Sequence, residues 1–176
     1  RRYEIWTMQS AYHSLLPTVD GVQQAPGEKF AATAVDYAAD EAQATFHVNI
    51  AAAYPAAANM ATWQRTITLQ RGKSIDVADT FRLTAPADVI EATLLTPCAV
   101  DLSQPGRIVL STAPFGQDRQ AGEAVIEYDA RTFQVRNQRV PITDERMGPV
   151  WGEALNRLVF QTTQPELTGQ WAFRIL

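Results

Sequence analysis

Cysteine and histidine are scarce in this chain, and their scarcity limits the chemistry that the chain can perform. Cys98 is the only cysteine among 176 residues. An internal disulfide and a cysteine-based zinc site are therefore both excluded, while the redox compartment stays open. The only histidines are His13 and His47. Neither has a second histidine at the spacing that places two metal ligands on one face of a helix.

Long apolar runs and basic blocks are also missing. Polar residues and prolines interrupt every apolar stretch before it reaches the roughly 20 residues that span a bilayer, so we expect no membrane partner. Lys and Arg number 15 against 19 Asp and Glu, which gives a net charge of −4. Without a basic block, no nucleic-acid partner is expected, and a heavily sulfated glycan is disfavoured. There is also no Gly-rich phosphate loop and no nucleophile elbow.

Strict alternation of apolar and polar residues is the main pattern that is present, and it predicts half-buried strands. In residues 44–50, Phe46 and Val48 share one face, and Thr45 and His47 share the other. Further candidate strands lie at 63–70, 74–83, 89–95, 107–111, 124–128, 133–139, 157–162 and 171–176. These strands predict an all-β fold, an antiparallel β-sandwich with little helix. Helix is expected only as short turns after Pro55 and near residues 149–156.

Nothing in the sequence divides the chain into parts. Residues 1–176 contain no repeat, no low-complexity tract and no linker, which predicts a single domain. Arg1 stands where a complete gene product has an initiator methionine, and no apolar signal core follows it. We therefore expect this domain to belong to a longer protein.

Two charged residues fall on the apolar faces of their strands. Arg65 shares its face with Trp63, and Asp79 shares its face with Phe81. A buried charge is costly unless it is paired, so we predict that Arg65 and Asp79 lie on neighbouring strands, pair with each other and have a structural role. The alternative is that either strand bulges and turns its charge outward.

The opening segment contains the most specific pattern of the chain. His13 is followed by Pro17, by a Val-Asp-Gly turn at residues 19–21 and by Gln23 and Gln24. This resembles the strand and turn, written HN…P..(I/V)(N/D)G..Q, of the heparinase II/III-type polysaccharide lyases. Weaker similarity extends over nearly the whole chain, at residues 54–55, 63–65, 79–81, 94–96, 151–152 and 157. Two departures are Ser14 in place of Asn and a stretch before Pro17 that is one residue longer.

The resemblance implies that the chain is the C-terminal β-sandwich domain of such a lyase. Members of the family join that domain to an N-terminal α/α toroid and cleave uronic-acid-containing polysaccharides by β-elimination. The implied partners are therefore the toroid and an acidic polysaccharide or oligosaccharide. The family's zinc site implies His13 as one ligand, with the other ligands and the catalytic residues expected upstream of Arg1. Zinc is thus implied for the full-length enzyme, and none is expected in the isolated chain, which we expect to be inactive.

Other functions remain open from the residues alone. A non-catalytic carbohydrate-binding module and a purely structural interaction domain use the same kind of sandwich, and an exposed apolar patch is typical of the latter. Candidate sugar-stacking residues are Trp6, Trp63, Trp151 and Trp171. Trp63 and Trp171 lie in alternating runs and are expected in the core, whereas Trp6 is equally compatible with core packing and with a sugar-stacking role. Gln23 and Gln24 lie either near the metal strand or simply at the exit of the turn, and the second interpretation is favoured.

Overall fold

The fold is all-β, as the alternation predicts. The structure is a computed structural model, and it describes residues 2–176. Within that range the strands, numbered in chain order, are β1 (Pro17–Val19), β2 (Thr33–Ala39), β3 (Gln43–Asn49), β4 (Met60–Gln70), β5 (Ser74–Leu83), β6 (Ile90–Thr96), β7 (Ala99–Gln104), β8 (Arg107–Ser111), β9 (Pro114–Phe115), β10 (Arg119–Gln120), β11 (Ala124–Tyr128), β12 (Phe133–Pro141), β13 (Ala154–Thr162) and β14 (Thr168–Ile175).

Two antiparallel sheets form the sandwich. The large sheet has eight strands in the order β2-β3-β4-β5-β14-β11-β8-β7, and the small sheet has four in the order β1-β6-β13-β12. A short ribbon pairs β9 with β10. Because the large sheet has twice as many strands, its β2 end extends beyond the core, and every residue of β2 is exposed.

Aromatic side chains fill the space between the sheets. Trp63 and Phe81 stack at 4.5 Å between ring centroids, and Trp171 meets Trp63 edge-on at 4.9 Å. Phe133 of the small sheet contacts Trp171 at 5.0 Å, and Phe160 contacts the large sheet in the same way. Edge-on and offset pairs of this kind each add about 1 kcal/mol beyond the area that they bury. Trp63 and Trp171 are 0% and 5% exposed, which confirms their expected place in the core.

Helix is confined to short turns. The turn expected after Pro55 is present as a 3₁₀ turn at Ala56–Ala58. The turn expected near residues 149–156 is the α-helix α1 (Gly148–Trp151), which ends at Gly152, where φ is +79°. Strand β13 already begins at Ala154, so the second half of that expected range is strand. No helix among residues 2–176 is long and apolar enough to cross a membrane.

The opening segment differs from the expected strand and turn. Three consecutive 3₁₀ turns occupy Arg2–Glu4, Trp6–Met8 and Ser10–Tyr12, and the strand is limited to β1. Local bonds such as His13 N–H to the Ser10 carbonyl, at 3.0 Å, hold these turns. His13 itself therefore follows a 3₁₀ turn and lies outside any strand. The turn after β1 is as expected, because Asp20 and Gly21 both have positive φ, at 50° and 75°.

Candidate functional site

Residues 3–16 are here called the N-terminal segment. Its part around Ala11 lies against the outer face of the small sheet, and Leu15 reaches the core beside β6. The alternation of β13 points Leu158 and Phe160 into the core and Arg157 and Val159 to the other side. Val159 is nevertheless fully buried. The burial of this outward-facing residue, together with the hydrogen bonds that the segment makes with β6 and β13, shows that the segment covers the sheet there.

Two arginines hold the N-terminal segment on either side of His13. Arg157 donates from Nε and Nη2 to the Ala11 carbonyl at 3.1 and 2.9 Å. Arg65 donates from Nη2 to the Leu15 carbonyl at 2.6 Å. A hydrogen bond to a charged donor contributes about 1.5–3 kcal/mol. The backbone that presents His13 is therefore fixed from both sides by side chains of distant strands.

The predicted pair between Arg65 and Asp79 is present in the interior. The two residues lie opposite each other on β4 and β5. Arg65 Nε and Nη2 reach the two carboxylate oxygens of Asp79 at 2.7 and 2.6 Å, and the two residues are 4% and 1% exposed. Because Asp79 holds the Arg65 guanidinium through two hydrogen bonds, the direction of the bond from Arg65 to the Leu15 carbonyl is fixed as well. The pair thus belongs to the anchorage of the N-terminal segment.

Tyr54 extends this buried cluster. Its hydroxyl donates to the Pro17 carbonyl at 2.6 Å, which ties the start of β1 to the turn before β4. Burial raises the pKa of Tyr54, with a smaller opposing effect from Arg65 and a smaller reinforcing effect from Asp79. Tyr54 is therefore a neutral donor at physiological pH, and its hydrogen bond stays intact there.

Leu15 has an unusual backbone conformation for a residue other than glycine. Its φ is 59°, in the left-handed region, and its side chain is only 3% exposed. A non-glycine residue in that region costs on the order of 1 kcal/mol. Burial of the leucine side chain and the bond from Arg65 offset this cost. The left-handed backbone at Leu15 is thus held in place by the same contacts that anchor the segment.

His13 is exposed and borders a concave surface, here called the His13 cleft. The cleft has a volume of about 380 Å³. One wall is the N-terminal segment, and the other is formed by the end of β6 and by α1 with its preceding turn. The lining residues are Trp6, Thr7, Tyr12, His13, Ser14, Leu95, Thr96, Pro97, Met147, Trp151 and Leu155. An apolar lining with a few polar groups is typical of sites for small ligands.

Aromatic rings form both walls of the His13 cleft. Trp6 and Tyr12 pack at 5.4 Å between centroids on one wall. On the other wall, Trp151 is 38% exposed and stacks on Phe115 at 5.9 Å with an interplanar angle of 19°. Trp6 is half-buried, so it belongs to the rim of the cleft and lies outside the core.

A cation lies behind each aromatic wall. The Arg157 guanidinium is 4.7 Å from the centroid of Tyr12, and the Arg119 guanidinium is 4.6 Å from the centroid of Phe115. Desolvation lowers the pKa of Arg157, but an arginine remains charged at physiological pH. Such cation–π contacts hold the rings and place positive charge near the cleft.

Gln23 and Gln24 lie against the N-terminal segment. The Gln23 side-chain oxygen accepts from the Ala11 N–H at 3.0 Å, and the Gln24 N–H donates to Ser10 Oγ at 2.9 Å. Both residues also line a second pocket of about 460 Å³ that His13 borders from its other side. They therefore do more than follow the Asp-Gly turn, and they help to position the backbone before His13.

The surroundings of His13 do not by themselves fit a zinc site. Among the described residues, the two pockets that His13 borders are lined by no other histidine, by no cysteine and by no carboxylate. Across residues 2–176, no three histidine, cysteine, aspartate or glutamate side chains gather in a way that could hold a metal ion. Zinc usually takes four protein ligands in a structural site. His47 is no candidate, because it is exposed on β3 and bonds Thr66 Oγ1 at 2.8 Å.

A larger groove of about 610 Å³ runs along β14 where β11 diverges from it. Its lining includes Asp76, Glu127 and Asp129, while the carboxylate of Asp79 is turned inward to Arg65. Arg174 is already bonded to Asp76 at 2.6 Å and Arg131 to Asp129 at 2.9 Å, so little positive charge is left in this groove for an acidic ligand. The smaller His13 cleft, which has no carboxylate in its lining, is therefore the better candidate for a uronate-containing glycan.

The sequence marks His13, Trp6 and Trp151 as candidate site residues, but it does not indicate that they share one cleft. His13 and Trp6 stood out from their neighbours in the opening segment. The contribution of Leu95, Met147 and Trp151 to the same cleft depends on how the strands associate, and no local pattern encodes it. The one signal for that wall was a tryptophan outside the alternating runs, which marks a large aromatic side chain with no place in the core.

Comparison with solved structures shows which known fold this is. No protein-family model and no curated protein matches the chain. A heparan sulfate lyase from Pedobacter heparinus superposes over 99% of the chain with a TM-score of 0.70 and 14% identity. Two heparinase III structures cover 97% and 92% of it, with TM-scores of 0.68 and 0.60 and identities of 10% and 9%.

These likenesses extend over the whole chain but over a small part of the lyases. The chain spans about a quarter of their length, with 25%, 24% and 23% of the three structures covered. At identities this low, the likeness establishes the fold alone. The expectation from the opening segment is confirmed at that level: the chain has the fold of one domain of the heparan sulfate lyase and heparinase III structures.

Proposed function

We propose that this chain is the sandwich domain of a polysaccharide lyase that acts on uronic-acid-containing glycans by β-elimination. The single observation that carries the proposal is the match of 99% of the chain to a quarter of a heparan sulfate lyase. The His13 cleft supports it, because an exposed imidazole lies between aromatic walls on a rigidly held backbone.

The proposed reaction sets specific chemical requirements. A base removes the proton α to the uronate carboxyl group, the carboxylate is neutralised, and an acid assists departure of the 4-linked sugar. Within residues 2–176, the His13 cleft offers one imidazole and the phenol of Tyr12, whose ring is covered by Arg157. We therefore propose that this domain forms one wall of the substrate cleft, that a further domain supplies the remaining groups, and that the isolated chain is inactive.

The proposed partner is an N-terminal α/α toroid of the same polypeptide. An exposed apolar strip on the β2 end of the large sheet provides a surface for such a contact. Val35 and Tyr37 of β2 are 60% and 64% exposed, and Leu69 and Ile75 are each 39% exposed. The register places Tyr37 beside Phe46 and Leu69 beside Ile75 on the face that continues into the core. Contiguous apolar surface of this kind is typical of a covered interface.

Zinc belongs to the proposal only for the longer protein. His13 would be one ligand, and the others would come from residues outside this chain. The isolated chain is then expected to contain no stoichiometric zinc.

The test is an assay for the unsaturated uronate product. Absorbance of that product is measured with a panel of uronic-acid polysaccharides, for the isolated chain and for the full-length protein encoded by its gene. Activity at full length alone supports the proposal. Activity of the isolated chain refutes the shared cleft, and absence of activity in both forms refutes the lyase assignment.

A non-catalytic carbohydrate-binding module is the second candidate. The aromatic walls of the His13 cleft favour it, because they provide binding surface without a full set of catalytic groups. The gene separates the two candidates. A helix-rich region of a few hundred residues upstream favours the lyase, whereas an unrelated catalytic domain there favours the binding module.

A further inference from the structure

We propose that the His13 cleft binds a pyranose ring of an acidic oligosaccharide, with the ring stacked on Trp151. The inference rests on the proposed function for the class of glycan, and it assigns the binding surface to this chain alone. It therefore predicts that the isolated domain recognises the sugar even where it turns over none.

Trp151 is held as a fixed platform. It ends the four-residue helix α1, and Gly152, with φ of +79°, turns the chain away immediately afterwards. Phe115 stacks on the indole, and Arg119 covers Phe115 while donating to the carbonyls of Gly116 and Val150. An indole that is immobilised in this way loses little rotamer entropy when a sugar ring stacks on it.

The opposite wall sets the width and the polarity of the site. Trp6 and Tyr12 bring aromatic edges to the cleft, while Thr7, His13 and Ser14 bring the groups that exchange hydrogen bonds with sugar hydroxyls. A pyranose presents an apolar face of C–H groups and a rim of hydroxyls. The cleft, with an exposed indole at one side and polar side chains on the N-terminal segment, is complementary to both.

Charge selects an acidic sugar over a neutral one. No carboxylate lines the His13 cleft. Within residues 2–176, Arg119 bonds the carbonyls of Gly116 and Val150, and Arg157 bonds the Ala11 carbonyl and the Gln138 side chain. Neither guanidinium makes a salt bridge with a carboxylate in the described part of the chain. Arg157 lies behind the Tyr12 ring of one wall, and Arg119 lies behind Phe115, the ring on which Trp151 stacks. Their charge therefore favours an acidic ligand in the cleft over a neutral one.

The experiment is a titration of the isolated chain with an unsulfated tetrasaccharide of glucuronate and N-acetylglucosamine. Imidazole resonances in NMR spectra report the site directly, because His13 borders the cleft and His47 lies on the large sheet. We expect saturable shifts of His13 alone. The Trp151→Ala variant should bind about tenfold more weakly, the change that corresponds to one aromatic contact. Tyr37→Ala removes an aromatic that is more exposed than Trp151, 64% against 38%, but lies on the large sheet far from the cleft, and this variant should bind as the parent does.

A neutral tetrasaccharide of β-1,4-linked glucose and a salt series test the charge argument. Weaker binding of the neutral sugar, together with weaker binding of the acidic one at high salt, supports it. Equal affinity for both sugars overturns the acidic preference. Absence of a His13 shift in the parent, or an unchanged affinity in a folded Trp151→Ala variant, overturns the site.

These outcomes are separable from those of the lyase assay. Binding by the isolated chain without turnover by the full-length protein would sustain the sugar site and reject the lyase. Turnover by the full-length protein without binding by the isolated chain would support the lyase and reject the sugar site. If Trp151→Ala unfolds, as judged by circular dichroism, the Arg119→Gln variant takes its place, with weaker binding of the acidic sugar alone as the expected result.

Discussion

Replacement of Asp79 by alanine should be among the most destabilising single changes in the chain. The substitution leaves the Arg65 guanidinium in a site where the arginine is 4% exposed, with the Leu15 carbonyl as its remaining described partner. Removal of one member of a buried ion pair costs about 3–5 kcal/mol, because the other charge stays buried without compensation. Of a typical stability of about 5–15 kcal/mol, that is a large share.

Chemical denaturation measures this loss, and a double variant tests its cause. With Arg65→Met added to Asp79→Leu, the uncompensated charge disappears, and most of the lost stability should return. The recovery should be incomplete by about 1–3 kcal/mol, because the Leu15 carbonyl then lacks its donor. A matched control is Arg174→Ala, which breaks the exposed pair between Arg174 of β14 and Asp76 of β5. This variant should leave the denaturation midpoint nearly unchanged. A cost below about 1 kcal/mol for Asp79→Ala would refute the reasoning.

Three further outcomes are expected. Arg157→Gln should shift the His13 imidazole resonance and leave that of His47 in place, because Arg157 holds the Ala11 carbonyl before His13. Equal shifts of both resonances would contradict a local role of Arg157 in positioning His13. Burial raises the pKa of Tyr54, so its contribution to stability is complete below the ordinary value near pH 10 and declines as pH rises above it. The free energy of unfolding of Tyr54→Phe should fall less steeply at alkaline pH than that of the parent. An equally steep fall in both proteins would show that ionisation of Tyr54 does not contribute to it. Elemental analysis of the isolated chain should find far less than one zinc per molecule, and a stoichiometric content would show that His13 has ligands within this chain.

The strands that the sequence predicts are those with one buried and one exposed face. Strand β5 alternates between core and solvent along its length, and the position of Asp79 in that alternation was enough to predict its pairing with Arg65. Strand β1 has no period of two, because all three of its residues are buried, and only the resemblance of the opening segment indicated a strand there. Strand β2 was missed, and all of its residues are exposed, so it has no buried face.

The candidate site was less predictable because its parts meet only in the folded chain. The His13 motif pointed to one wall, but the residues before His13 form 3₁₀ turns where a strand was expected, and they are held by side chains such as that of Arg157. Trp151 reaches the same cleft from the other end of the chain. Nothing in the spacing of the sequence relates these two residues, so the wall could be assigned only from the structure.

The contact between Arg157 and the Ala11 carbonyl, which joins residues 146 positions apart, has a consequence for the order of folding. The N-terminal segment is the first part of this chain to be synthesised, yet its anchors at residues 65, 93 and 157 come from strands that are made later. It can dock only after both sheets have formed, and closing so long a loop is slow. During refolding, protease cleavage within residues 3–16 should therefore persist after the core tryptophans have become buried.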